Sequence, residues 1–136
     1  MALTKSRILV HLTSGPLNED RIQMHELSVT ESMLGVVLRH AQANNATKVT
    51  RINMVMGEMS TVMEDSVRFY FEIIGKDTIA QDAELNFRHT KLITKCKECG
   101  KEFEVVEYDF TCPECKGTST EIISGREFQV ESIEIS

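Results

Sequence analysis

The sequence holds little from which an enzyme could be built. It has no recognisable Ser/His/Asp or Cys/His nucleophile set and no glycine-rich phosphate loop. No apolar run approaches membrane-spanning length, which argues against a membrane partner. Lys5 and Arg7 precede Ile8-Leu9-Val10, yet that stretch is too short for a signal-peptide core, and no small-residue cleavage site follows. Basic charge is also in short supply. The net charge is −6, and the stretch between the cysteine pairs carries Glu102, Glu104, Glu107 and Asp109. Phosphate contacts dominate nucleic-acid affinity, so this balance argues against DNA or RNA as a partner. Internal repeats and low-complexity segments are lacking as well. What remains is an ordinary globular composition, with 41% hydrophobic and 26% charged residues in a chain of 136. That length suits one domain, or a domain plus a small module.

Cysteine is scarce and concentrated. All of it lies in two Cys-x-x-Cys pairs, Cys96/Cys99 and Cys112/Cys115. Each pair can form a tight knuckle whose sulfurs face one point, and two knuckles joined by a hairpin set four thiolates in a tetrahedron suited to Zn²⁺. Gly100 supplies the positive φ that such a knuckle often needs, and Pro113 stiffens the second. Lys95, Lys97, Lys101 and Lys116 stand where they can offset the two net negative charges of the loaded site. Two disulfides are disfavoured without a secretion signal, and a redox Cys-x-x-Cys normally comes singly beside a βαβ unit. An iron site with the same ligands stays open at this point. The expected role is structural, with no vacant metal position and no chemistry, in a reducing cytoplasm.

Residues 1–23 read as detached from the rest, either a disordered leader or an upstream-placed start, with an added edge strand from Arg7 to Leu12 as the third and less favoured reading. Ser14-Gly15-Pro16 and Asn18-Glu19-Asp20 are linker material. Ser28 with Glu31 forms a capping-box pattern opening a first helix that Asn44-Asn45 ends. Lys48 to Gly57 reads as a strand, with Ile52, Met54 and Met56 on one face. A second helix runs from about Glu64 to Ile74, closed by Gly75 as C′. Ala83 to His89 returns to a period of two. Phe103–Val106 and Tyr108–Phe110 make the hairpin between the knuckles. Thr120–Ile123 and Arg126–Ile135 follow as strands, and a phase slip near Glu131-Ser132 predicts a bulge or a change of buried face. The fold class is thus α+β: a small metal-binding domain of two helices on a three-stranded sheet, residues 24–90 plus 122–136, with an inserted zinc ribbon at 91–121.

Outside the cysteines, Met24-His25-Glu26 joins an imidazole, a carboxylate and main-chain nitrogens ahead of the first helix. If a mature chain began at Met24, its amine, the His25 amide and the His25 imidazole could chelate one ion in fused rings, an arrangement that favours Ni²⁺ or Cu²⁺. The plainer reading, ordinary surface residues before a helix, weighs more on spacing alone. Met54, Met56, Met59 and Met63 read as gap-filling core before they read as a thioether site. His40 and His89 read as exposed or hydrogen-bonded, and His11 carries no argument.

Met24-His25-Glu26-Leu27-Ser28, then Val55-Met56-Gly57-Glu58-Met59-Ser60 ahead of Phe69-x-Phe71-Glu72, the paired knuckles, and Gly125 to Glu134 at the end occur in order. Together they resemble the HypA/HybF family of nickel metallochaperones for hydrogenase maturation, from Met24 to the end of the chain. The resemblance implies a nickel carrier and not an enzyme, with structural Zn²⁺ on Cys96, Cys99, Cys112 and Cys115 and transferred Ni²⁺ on His25 with Glu26. It further implies a nickel-binding GTPase and the large subunit of [NiFe] hydrogenase as partners, with urease served in some members. A homodimer is left open. The alternative is a zinc-ribbon adaptor that binds protein without transferring metal. Two features depart from the family: residues 1–23 precede the nickel motif, so Met24 offers an amide where family members offer an amine, and Met63 stands where many members carry an aspartate.

Overall fold

In a computed structural model that describes residues 8–12 and 26–136, two strands far apart in sequence form the centre of the larger sheet. In chain order the elements are β1 (Ile8–His11), α1 (Glu26–Ala43), β2 (Val49–Gly57), α2 (Glu64–Ile74), β3 (Glu84–Thr90), β4 (Ile93–Cys96), β5 (Glu102–Glu104), β6 (Thr120–Ser124) and β7 (Phe128–Ile135). The larger sheet has the order β1-β7-β2-β3 and the smaller one β5-β4-β6. β7 runs antiparallel to both β1 and β2. β3 lies parallel to β2, and α2 supplies the crossover that a parallel pair requires.

One hydrophobic core holds the larger sheet to the helices. Ile52, Met54 and Met56 of β2 and Phe128, Val130, Ile133 and Ile135 of β7 meet Val29, Met33, Val37 and Ala41 of α1, and Val67 and Phe71 of α2. Each of these side chains larger than alanine contributes about 1.5–3 kcal/mol on burial. Met54 and Met56 are core residues, as their strand position suggests. The opposite face is polar: Arg51 pairs with Glu84 at 3.0 Å and Glu134 at 3.6 Å, and Asn53 donates to Ser132 at 2.9 Å.

The phase slip in β7 is a bulge. Asn53 of β2 opposes Ser132 and the next residue, Met54, opposes Val130, so Glu131 has no partner across the ladder. The extra residue lets Val130 and Ile133 both face the core. The first helix ends at the predicted asparagines in a Schellman arrangement, with Asn45 at φ 57°. The Ala46 amide bonds the Ala41 carbonyl and the Asn45 amide bonds that of Gln42.

Four local expectations change. Ile8–His11 is a fourth strand on β7, and Val10 and Leu12 pack against the core, so the sheet is four-stranded and this stretch is not detached. The linker residues between Leu12 and Glu26 lie outside the described residues. The helix already includes Ser28, so Ser28 is not its cap; the Thr30 hydroxyl instead donates back to the Glu26 carbonyl at 2.6 Å. Gly75 has a right-handed φ of −76°, and the left-handed turn falls on Asp77 at φ 67°. The hairpin between the knuckles is short: β5 is followed only by a single bridge between Val106 and Asp109.

Candidate metal centre

The two knuckles repeat one backbone pattern. The Cys96 amide bonds the Lys101 carbonyl at 2.8 Å, and the Gly100 amide bonds the Cys96 carbonyl at 2.9 Å. In the second knuckle the Cys112 amide bonds the Gly117 carbonyl at 2.9 Å, and the Lys116 amide bonds the Cys112 carbonyl at 3.0 Å. Gly100 has the expected positive φ of 79°, and Lys116, the equivalent residue, adopts φ 63° despite its side chain. β4 leads straight into Cys96, and its flanking strands β5 and β6 hold the first knuckle in place.

The result is a compact sulfur cluster. All four sulfurs lie within 4.8 Å of one another. Cys96 and Cys115 are separated by 3.5 Å, as are Cys99 and Cys112. A disulfide would need about 2.05 Å. A tetrahedron with metal–sulfur bonds of about 2.3 Å has edges of about 3.8 Å, so the spacing fits a zinc site. Among the described residues this is the one group of three or more such side chains close enough to share an ion. Cys96 and Cys112 are buried, while Cys99 and Cys115 face outward. Lys101, one of the four flanking lysines, reaches Glu114 at 3.4 Å.

Peptide N–H groups divide the thiols into two classes. The Cys99 amide holds the Cys96 thiol below its ordinary value against the opposing push of burial. The Cys115 amide, with that of Glu114 and the neighbouring thiols, lowers Cys112 to about 7. At Cys99 the Lys101 amide pulls down, but the Cys112 thiol and burial prevail and the net shift is upward. At Cys115 the Gly117 amide pulls down, but the Cys96 thiol and burial push it up to about 12. Without an ion the cluster therefore retains protons at neutral pH, and a bound dication must displace them.

Of the expected nickel ligands, His25 lies outside the described residues and Glu26 begins α1. An open groove of about 570 Å³ runs beside the segment 56–64, lined among others by Met56, Glu58, Met63, Glu64 and His89. Met63, expected among the gap-filling core methionines, is instead 62% exposed at the start of α2. Glu64 accepts from Arg68 at 3.2 Å and shares a 3.0 Å hydrogen bond with His89. His89 is thus hydrogen-bonded, as its place on a strand suggested. The His89–Glu64 pairing was not legible beforehand, since α2 intervenes in sequence between the acid and the strand.

The chain matches the family model described as "HypA: Hydrogenase/urease nickel incorporation, metallochaperone" over residues 24–135. It is 42% identical over 112 residues to the hydrogenase maturation factor HypA of Dehalococcoides mccartyi, covering 82% of this chain and 94% of that one. To the protein of the same name from Aquifex aeolicus it is 37% identical over 112 residues, covering 82% and 97%. The solution structure of the Ni metallochaperone HypA from Helicobacter pylori superposes with a TM-score of 0.64 at 29% identity, covering 82% of this chain and 97% of that one. A second solution structure of a HypA protein gives a TM-score of 0.68 at 28% identity, covering 84% and 98%.

Proposed function

The chain belongs to the HypA family of hydrogenase and urease nickel-incorporation metallochaperones, and from that premise we propose that it carries Ni²⁺ on His25, with Glu26 as neighbouring ligand, and holds Zn²⁺ permanently on Cys96, Cys99, Cys112 and Cys115. The family match from Met24 onward carries this reading, because its first residues are the Met24-His25-Glu26 triplet. Imidazole and main-chain nitrogen suit Ni²⁺, whereas four thiolates suit Zn²⁺, so the two ions are sorted by ligand chemistry. Zinc with four protein ligands has no open position and serves to hold the ribbon together. A few nitrogen ligands bind loosely enough to release nickel onward. The recipients in this reading are a nickel-binding GTPase and the large subunit of [NiFe] hydrogenase, with urease as a second client. His25 must be neutral to bind, so nickel affinity falls as pH falls through its pKa.

The test is calorimetric titration of zinc-loaded protein with Ni²⁺ at neutral pH. His25→Ala abolishes stoichiometric nickel uptake and leaves zinc content unchanged. Tight nickel binding retained in that variant removes His25 from the site. No nickel uptake by the native protein removes the carrier role and leaves a zinc-ribbon adaptor.

A further inference from the structure

The chain enters the ribbon through Thr90-Lys91-Leu92 and leaves it through Ser124-Gly125-Arg126, and both legs are tied to the same turn of the larger sheet. On the entering leg, the Glu58 amide bonds the Thr90 carbonyl at 2.9 Å, and the Glu58 carboxylate accepts from the Leu92 amide at 3.1 Å. On the leaving leg, the Met59 amide bonds the Gly125 carbonyl at 2.7 Å. Glu127 then joins the legs to each other. One carboxylate oxygen accepts from the amides of Gly125 and Arg126 at 2.7 and 3.0 Å. The other accepts from the Thr90 hydroxyl at 2.6 Å. The Ser124 hydroxyl donates its one proton to the Lys91 carbonyl at 3.0 Å, a second tie between the legs. A carboxylate that gathers two amides from one leg and a hydroxyl from the other, with no cation in the set, fixes the legs against each other.

The same residues form a wall of the groove. Gly57, Glu58, Ser60, Thr90 and Lys91 line it, and Glu58 and Thr90 carry the hydrogen bonds to the ribbon legs. A rotation of the ribbon therefore has to displace that wall. Steric contact closes the alternative of slippage, since Gly57 rests directly on the Gly125 peptide.

We propose that Glu58 and Glu127 are positioning residues that lock the ribbon to the wall of the groove, so that a partner turning the ribbon reshapes the groove. The ribbon is then the handle and the groove the responding part, two states of one joint biased from a distance. The use of this coupling in nickel release rests on the function proposed above; the coupling itself does not, and its test needs no nickel.

Backbone residual dipolar couplings of the zinc-loaded full chain provide the measurement. In the native protein, couplings from β2, β3 and β7 and those from β4 and β6 fit one alignment tensor. Thr90→Val deletes the 2.6 Å bond and keeps the side-chain size, and Glu127→Gln removes the charge. Each is expected to split the data into two tensors and shift the amide and side-chain signals of Met63 and His89, with zinc content unchanged. Thr90→Ser restores the hydroxyl and returns the single tensor. Two tensors in the native protein, a single tensor surviving in both variants, or a split that leaves the groove signals unmoved would each overturn the proposal. A nickel titration that fails while these results hold removes only the carrier reading.

Discussion

Gly57 lies so close to Gly125 that a Cβ added to Gly57 would stand 2.2 Å from the carbonyl carbon and oxygen of Gly125 and 2.6 Å from the Arg126 nitrogen. The neighbours are backbone and cannot swing aside as a flexible side chain would. Gly57→Ala is therefore expected to destabilise the protein by about 1–3 kcal/mol, the usual cost of overpacking. Gly35, inside α1, has nothing within 4 Å of the same virtual atom. Gly35→Ala should stabilise by about 0.5–1 kcal/mol through helix propensity alone. Denaturant unfolding of the two zinc-loaded variants gives opposite signs if the packing is as described, and equal small effects would contradict it.

What the sequence revealed was local in origin. A knuckle is closed by hydrogen bonds between residues four and five apart, so Cys96, Gly100 and Cys112 announced it without any knowledge of the rest. The bulge at Glu131 was visible because burial switches phase within one strand, from Val130 to Ile133. β1 was not visible in the same way. Its four residues are too few for a periodic signal, and the partner that makes them a strand is at the other end of the chain. The joint failed for the same reason. Nothing near Glu127 in sequence indicates that Thr90 will donate to it, and no pattern near Glu64 points to His89.

Metal removal should unfold the smaller sheet and leave the core of the larger one intact. The buried sulfurs of Cys96 and Cys112 stand where apolar side chains would otherwise fill the ribbon, whereas the larger sheet has its own core. Chelation, or Cys99→Ser, is expected to release one zinc per chain, a stoichiometry that follows from four thiolates per ion. Amide protection should vanish in β4, β5 and β6 and persist in β2 and β7. Reloading should release protons, more of them at lower pH, because each thiol must ionise before it can ligate the ion. Zinc affinity consequently falls as pH falls. Hydrogen exchange and a proton-release titration check both statements.

The extension contributes to stability through β1. A chain that starts at Met24 retains every residue of the family match, so it should fold and bind zinc. It loses the pairing of Ile8, Leu9, Val10 and His11 with β7, the bond from the Leu12 amide to the Glu131 carbonyl at 3.0 Å, and the partial burial of Val10 and Leu12. The expected cost is about 1–3 kcal/mol, from two half-buried aliphatic side chains at about 1.5–3 kcal/mol each when full. Within β7, amides that face β1 should exchange freely in the shortened chain, while those that face β2 remain protected. Uniform protection along β7 would mean that β1 adds nothing.

Glu127 makes the stability of the joint depend on pH in a defined direction. Burial pushes its carboxyl upward, but the Thr90 hydroxyl and the amides of Gly125, Glu127 and Arg126 outweigh it, and the net shift is below the ordinary value of 4.5. The folded state thus favours the ionised form more than the unfolded chain does. That contribution is fully present above the unfolded value and is lost as pH falls through the folded one. Glu127→Gln has no such titration, and protonation of the thiols affects it and the native protein alike. The stability difference between them should accordingly stay constant from neutral pH down to about 5 and shrink below the ordinary glutamate value. Denaturant unfolding at a series of pH values measures that difference directly. A difference that holds steady at acid pH would mean that the Glu127 cradle does not favour the charged carboxylate, and that shape alone holds the two legs of the ribbon together.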